Sequence, residues 1–146
     1  MRTFVLLGAL ACAVVPSLAH ACDCGTGFRS LELGLERADA VVEAYVLDGP
    51  REIKHGAKTA LQIELRVLRS WKGPAAESSI VIETSTSNCG IQHHFNRCEP
   101  IVVFAALDRD GSLTANQCSE ATEIFSGQGA KAAIIALSSV SRSAPK

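Results

Sequence analysis

Across Thr59 to Trp71, Leu61, Ile63, Leu65 and Val67 alternate with Gln62, Glu64 and Arg66. Successive side chains of a β-strand point to opposite faces, so this run has one apolar and one wet face and belongs to a sheet covered on one side. Lys72-Gly73-Pro74 ends it. Four further segments carry strand signals. From Ala38, Val42, Ala44 and Val46 share one face and Glu43 and Tyr45 the other, up to a stop at Asp48-Gly49-Pro50. The polar stretch from Arg51 to Lys58 reads as a loop. Ser79 to Thr84 alternates again. Ile101 to Leu107 is apolar on both faces, as in a strand covered on two sides. Asp108-Arg109-Asp110-Gly111 then forms a tight hairpin signal leading into Leu113-Thr114-Ala115. On the wet faces, Glu64 and Glu83 are expected to coat the surface, with Tyr45 and Trp71 packing in the core or at its rim.

Helical signals stand at the two ends of this β region. Ser30 is a good cap, followed by an early acidic residue, so a short helix is expected over Ser30 to Ala38 despite Gly34. Beyond Cys118 the period lengthens: Ala130, Ala133, Ile134 and Leu137 form one stripe, predicting a helix over 119–139 that Gly127 and Gly129 interrupt. Residues 141–146 read as a loose tail. Five strands with irregular connections and no βαβ rhythm predict a mainly β domain, a small closed barrel flanked by a short N-terminal and a C-terminal helix.

The chain opens as an export signal does. Met1-Arg2 supplies the positive end, Phe4 to Val15 the apolar run, Pro16-Ser17 the break, and Ala19-His20-Ala21 the cleavage site. The run is too short to span a bilayer. A lipid-modified cysteine is the competing reading, and His20 fits it poorly. Cutting 21 of the 146 residues leaves 125, enough for one domain with a real core over 22–140. The mature chain would begin Cys22-Asp23-Cys24, with a free α-amine on a cysteine, and would be secreted or periplasmic. All but Arg2 of the 14 basic residues stay against 15 acidic ones, a net charge of −2 without blocks of like charge. That excludes nucleic acid and anionic membrane as obvious partners.

Five cysteines remain after the cut: Cys22, Cys24, Cys89, Cys98 and Cys118. Export favours disulfides, and an odd count leaves one thiol over. The residues alone leave the pairing open. Bonds from Cys22 and Cys24 to distant loops would pin a frayed terminus, each stabilising by about 2–4 kcal/mol.

In order and type, the residues resemble the netrin-like domain of tissue inhibitors of metalloproteinases and their single-domain bacterial-type relatives. The similarity runs from Cys22-x-Cys24 through Ala38-Asp39, Trp71-Lys72-Gly73, Cys89-Gly90 and the apolar strand Ile101 to Leu107, to Asp110-Gly111-Ser112-Leu113 before Cys118. It implies a five-stranded OB-fold-like, closed Greek-key barrel with bridges Cys22–Cys89 and Cys24–Cys118, leaving Cys98 over. A protein-binding role is implied as well. The amine and carbonyl of Cys22 would chelate the zinc of a metalloprotease, Asp23 would enter its specificity pocket, and Cys24, Ser87, Asn88, Cys89 and Gly90 would form the adjoining ridge. A catalytic zinc keeps one position open, which such a chelate can fill. The alternative is a disulfide-stapled structural or partner-binding domain without inhibition.

Two other chemistries compete. Cys89-x3-His93-His94-x3-Cys98 is a compact set of zinc or copper ligands, although its spacing matches no common zinc motif and a bridged Cys89 is no thiolate. His93 and His94 in a solvated loop is the plainer reading. No G-x-S-x-G, H-E-x-x-H or C-x-x-C motif is present, so neither an enzyme nor a cofactor is expected. An odd thiol in an exported protein predicts a Cys98-linked dimer.

Overall fold

The alternating run becomes strand β2, Lys58–Lys72, in a computed structural model that describes residues 30–86, 95, 97–116 and 122–143. Leu61, Ile63, Leu65 and Val67 are buried, as their spacing requires. Strand β1 (Ala40–His55) pairs with β2 antiparallel, β2 with β3 (Ser79–Ser85), and β1 also with β4 (Ile101–Leu107). A two-residue strand, β5 (Leu113–Thr114), lies parallel to β3 and antiparallel to β4. The pairing order β1-β2-β3-β5-β4 therefore closes back on β1, a five-strand ring in which the last two strands are out of sequence order. A three-residue strand, β6 (Glu123–Phe125), adds to β4 beside β5.

Alternating positions fill the ring. Val42, Ala44, Ile63, Leu65, Ile82, Ile101 and Val103 form one continuous buried cluster. A second cluster lies on the opposite face of β1 and β4, where Val41, Val102 and Phe104 meet the two helices, α1 (Leu31–Arg37) and α2 (Gly127–Ser143). Strand β4 belongs to both clusters, which is why its sequence is apolar on both faces. Ala130, Ala133 and Leu137 are the buried stripe of α2, and Ile134 packs partly against the same cluster. Phe104 and Phe125 meet edge to face, ring centroids 6.0 Å apart and planes at 76°, a geometry that adds about 0.5–1.5 kcal/mol to burial. Ser30 caps α1, its Oγ accepting from the Leu33 N–H at 3.1 Å.

The structure corrects four local expectations. Residues 51–55 are strand rather than loop: β1 continues past Pro50, and Arg51 to His55 pair with Lys58 to Gln62 around a tight turn at Gly56-Ala57. Gly49 makes the continuation possible. Its φ is +103°, and a Cβ there would come within 2.7 Å of the Gln62 carbonyl oxygen, so only glycine fits the irregular register through Asp48 and Arg51. Residues 123–125 form β6 rather than helix, and α2 begins at Gly127. A segment of three residues is too short for its own period to outweigh the apolar stripe that follows. Among the described residues six strands stand where five were expected, because β6 supplements the ring. Finally, α2 takes in residues 141–143, which were assigned to the tail.

Candidate functional site

Most residues singled out for function lie outside the described residues: Cys22, Asp23, Cys24, Ser87, Asn88, Cys89, Gly90, His93, His94 and Cys118. Cys98 is described, and it is exposed in the turn before β4. The other residues that carried the resemblance fall in two places.

Ala38-Asp39 and Trp71-Lys72-Gly73 are brought together by the register Val41↔Lys72. Their roles there are structural. Asp39 Oδ2 accepts from the Leu107 N–H at 2.8 Å, fixing the end of β4 to the start of β1. Lys72 Nζ donates to the Leu35 and Glu36 carbonyls at 3.2 and 2.9 Å, satisfying orphan acceptors at the C-terminal end of α1. Gly73, at φ +89°, would push a Cβ to 2.8 Å from the Asp39 carbonyl oxygen. Trp71 packs partly against the second cluster with the Arg69 guanidinium 5.7 Å from its ring centroid.

At a second place the ends of β3 and β5 meet. The Ser85 N–H donates to Asn116 Oδ1 at 3.0 Å, the Ala115 N–H donates to the Glu83 carbonyl at 2.9 Å, and Thr122 Oγ1 accepts from the Asn116 N–H at 3.1 Å. A cavity of about 640 Å³ opens beside this junction, within the usual size range of small-ligand sites. Its walls come from the β1–β2 turn (His55, Lys58), the end of β3 (Glu83, Thr84) and the β4–β5 turn (Asp108, Asp110).

Two features give the cavity its chemistry. His55 Nε2 lies 3.1 and 3.3 Å from the two Glu83 carboxylate oxygens, and the Glu83 side chain is only 13% exposed. Glu83 lies on the face of β3 opposite Ile82, as the alternation predicts, and meets a histidine across the sheet there. At the β4–β5 turn, Asp108 Oδ1 accepts from the Arg109 N–H at 2.7 Å, and Asp110 Oδ1 accepts from the Ser112 N–H at 3.0 Å and from its hydroxyl at 2.7 Å. The two Ser112 donors hold the Asp110 carboxyl below the ordinary aspartate range. On the opposite face of β3, toward the ring interior with Ile80 and Ile82, Thr84 is 2% exposed, and its Oγ1 has no hydrogen-bond partner among the described residues. A buried polar atom in that condition is uncommon in a folded protein.

These residues were not found by sequence reasoning. His55 and Glu83 are 28 positions apart and on strands that are not neighbours in sequence, so no local spacing announces them. The Asp-x-Asp-Gly turn was legible only as a turn. Comparison of the chain with protein-family models gives no match, and comparison with curated proteins gives none either.

Proposed function

We propose that the chain is an exported protein-binding module of the netrin-like, OB-type kind, with inhibition of a zinc metalloprotease through the amine and carbonyl of Cys22 as its activity. The observation that supports this reading is the 3.0 Å hydrogen bond between the Ser85 N–H and Asn116 Oδ1. Cys89 follows Ser85 by four residues and Cys118 follows Asn116 by two, so their Cα atoms lie within roughly 14 and 7 Å of that junction. Cys22 and Cys24 are two residues apart, and a disulfide spans about 4.4–6.8 Å between Cα atoms. Bridges Cys22–Cys89 and Cys24–Cys118 need two receiving cysteines close to one another, and the junction of β3 and β5 leaves such an approach within reach of the chain. Held this way, a terminal chelate would bind without an ordering cost.

Only a neutral amine coordinates zinc, and an α-amine of pKa about 7.7–8.0 is roughly 15% neutral at pH 7. Inhibition should therefore strengthen several-fold from pH 7 to 8. Asp23 would place a carboxylate in a pocket that is apolar in most such proteases, at a desolvation cost of several kcal/mol. Asp23→Ser should accordingly raise potency. The deciding experiment maps disulfides in the exported protein after alkylation of free thiols, then titrates the same material into a panel of zinc endopeptidases. An unmodified Cys22 terminus, the two bridges and an inhibition that is lost on N-terminal acetylation would support the reading. A blocked terminus or other pairings would end it and leave a stapled partner-binding domain.

A further inference from the structure

We propose that the open edge of β1 at residues 51–55 is an interface between two copies of this chain, paired antiparallel about a two-fold axis at Ile53. The inference is independent of Cys22 and stands whether or not the chain inhibits a protease. Strand β4 covers that edge of β1 only from Ala40 to Ala44. Beyond Ala44, β1 pairs with β2 alone among the described residues. His55 and Lys58 flank a two-residue turn, so the alternation of an antiparallel ladder assigns the inward main-chain bonds to His55, Ile53 and Arg51. The N–H and C=O groups of Glu52 and Lys54 therefore point away from β2. An edge of this kind is a template for another strand.

The side chains select which strand. Registers that overlap at least three residues of this edge, with outward groups opposite outward groups, have their axis on Glu52, Ile53 or Lys54. An axis on Glu52 or on Lys54 sets like charges directly opposite one another, which destabilises a pair. An axis on Ile53 sets Glu52 of each copy opposite Lys54 of the other, at the positions whose main-chain groups are free to bond, and Ile53 against Ile53. The remaining pair, Arg51 opposite His55, is basic on both sides, but each side chain has a counter-charge within its own chain, Asp48 for Arg51 and Glu83 for His55. A lysine in the middle of an edge strand ordinarily guards it against pairing. Glu52, two positions earlier, cancels that guard for a copy of the same strand. Arg51, Glu52, Lys54 and His55 are exposed and Ile53 is half-buried, so the edge is accessible. The paired stretch is short, ended by the irregular register at Asp48–Arg51 and by the turn, and the dimer is accordingly weak.

The test is sedimentation equilibrium on the exported protein carrying Cys98→Ser, which removes any covalent dimer through that thiol. A reversible monomer–dimer equilibrium with Kd on the order of 0.1 mM is expected. Glu52→Lys and Lys54→Glu, both at exposed positions, should each weaken self-association tenfold or more. An equimolar mixture of the two variants should recover a dimer, because each chain then meets the opposite charge on the other. The double variant Glu52→Lys/Lys54→Glu should associate as the parent does. A parent chain that stays monomeric to about 1 mM, single variants that associate as the parent does, or a mixture that recovers nothing would overturn the proposal. So would a monomer whose Glu52 and Lys54 amide signals shift in NMR spectra only with an extended peptide of other sequence, which assigns the edge to a different protein.

Discussion

Leu137 and Ile135 sit two positions apart on α2 and differ in one respect: Leu137 is 0% exposed in the second cluster, whereas Ile135 is 72% exposed. Replacing Leu137 by alanine removes a buried side chain whose transfer from water is worth about 1.5–3 kcal/mol, and leaves a cavity that brings the total to roughly 3 kcal/mol or more. Against a typical stability of about 5–15 kcal/mol this is a large loss, and it should lower the melting temperature by roughly 10–15 °C for a domain of this size. Ile135→Ala removes the same number of carbons, but from water-exposed surface. Its expected effect is within about 0.5 kcal/mol, and alanine's better helix propensity favours a small gain. Urea unfolding of both variants at 25 °C, with unchanged m-values, measures the difference. Equal losses, or a loss below about 1 kcal/mol for Leu137→Ala, would refute the packing of α2 on β4 as the second half of the core.

Gly49→Ala should destabilise by roughly 2 kcal/mol or more, because it combines strained φ with a contact to backbone that cannot move aside; Gly56→Asn, at φ +62° with open space around it, should cost well under 1 kcal/mol in the same thermal assay. Ser30→Ala should cost about 1 kcal/mol by removing the cap of a seven-residue helix. Thr84→Val should stabilise the unliganded protein by about 1 kcal/mol, since it deletes a buried hydroxyl without a partner among the described residues and keeps the side-chain shape. Asp110 has its folded pKa lowered by Ser112, so its contribution is fully present above the ordinary aspartate range and disappears as pH falls through the lowered value. Asp110→Asn should flatten the acid limb of a stability-against-pH curve, and an identical limb in both proteins would remove Ser112 as the cause.

The ring was legible where burial is regular. Leu61, Ile63, Leu65 and Val67 announce β2 because one face of the sheet is dry along their whole length, and Ile101 to Phe104 announce β4 because both faces are. Legibility ended where a strand no longer touches the core. Arg51 to His55 carry no apolar alternation, since that part of β1 extends beyond the ring and is held by main-chain bonds to Lys58–Gln62. Gly49-Pro50 signals a stop in sequence and is a bulge in space. Glu123-Ile124-Phe125 is masked by the apolar helix that follows. The cavity was invisible for a different reason: His55, Glu83, Asp108 and Asp110 come from three separate segments and meet only when β3 and β5 pair across the ring. Thr84 offered no signal, because a threonine in a strand reads as an ordinary β-former.

Lys72 closes the carbonyl end of α1 from the far end of β2, and so fixes the helix that begins one residue after Ser30. Cys24 lies six positions before Ser30, so its Cα is at most about 20 Å from that of the cap. Any partner of Cys24 on the ring therefore lies within that radius of the start of α1. Shortening this segment would narrow the radius, whereas Lys72→Met would leave the two α1 carbonyls to water while Leu31 and Leu35 keep the helix on the second cluster. The point from which that radius is drawn is thus fixed in part by a lysine forty-eight positions further along the chain than Cys24.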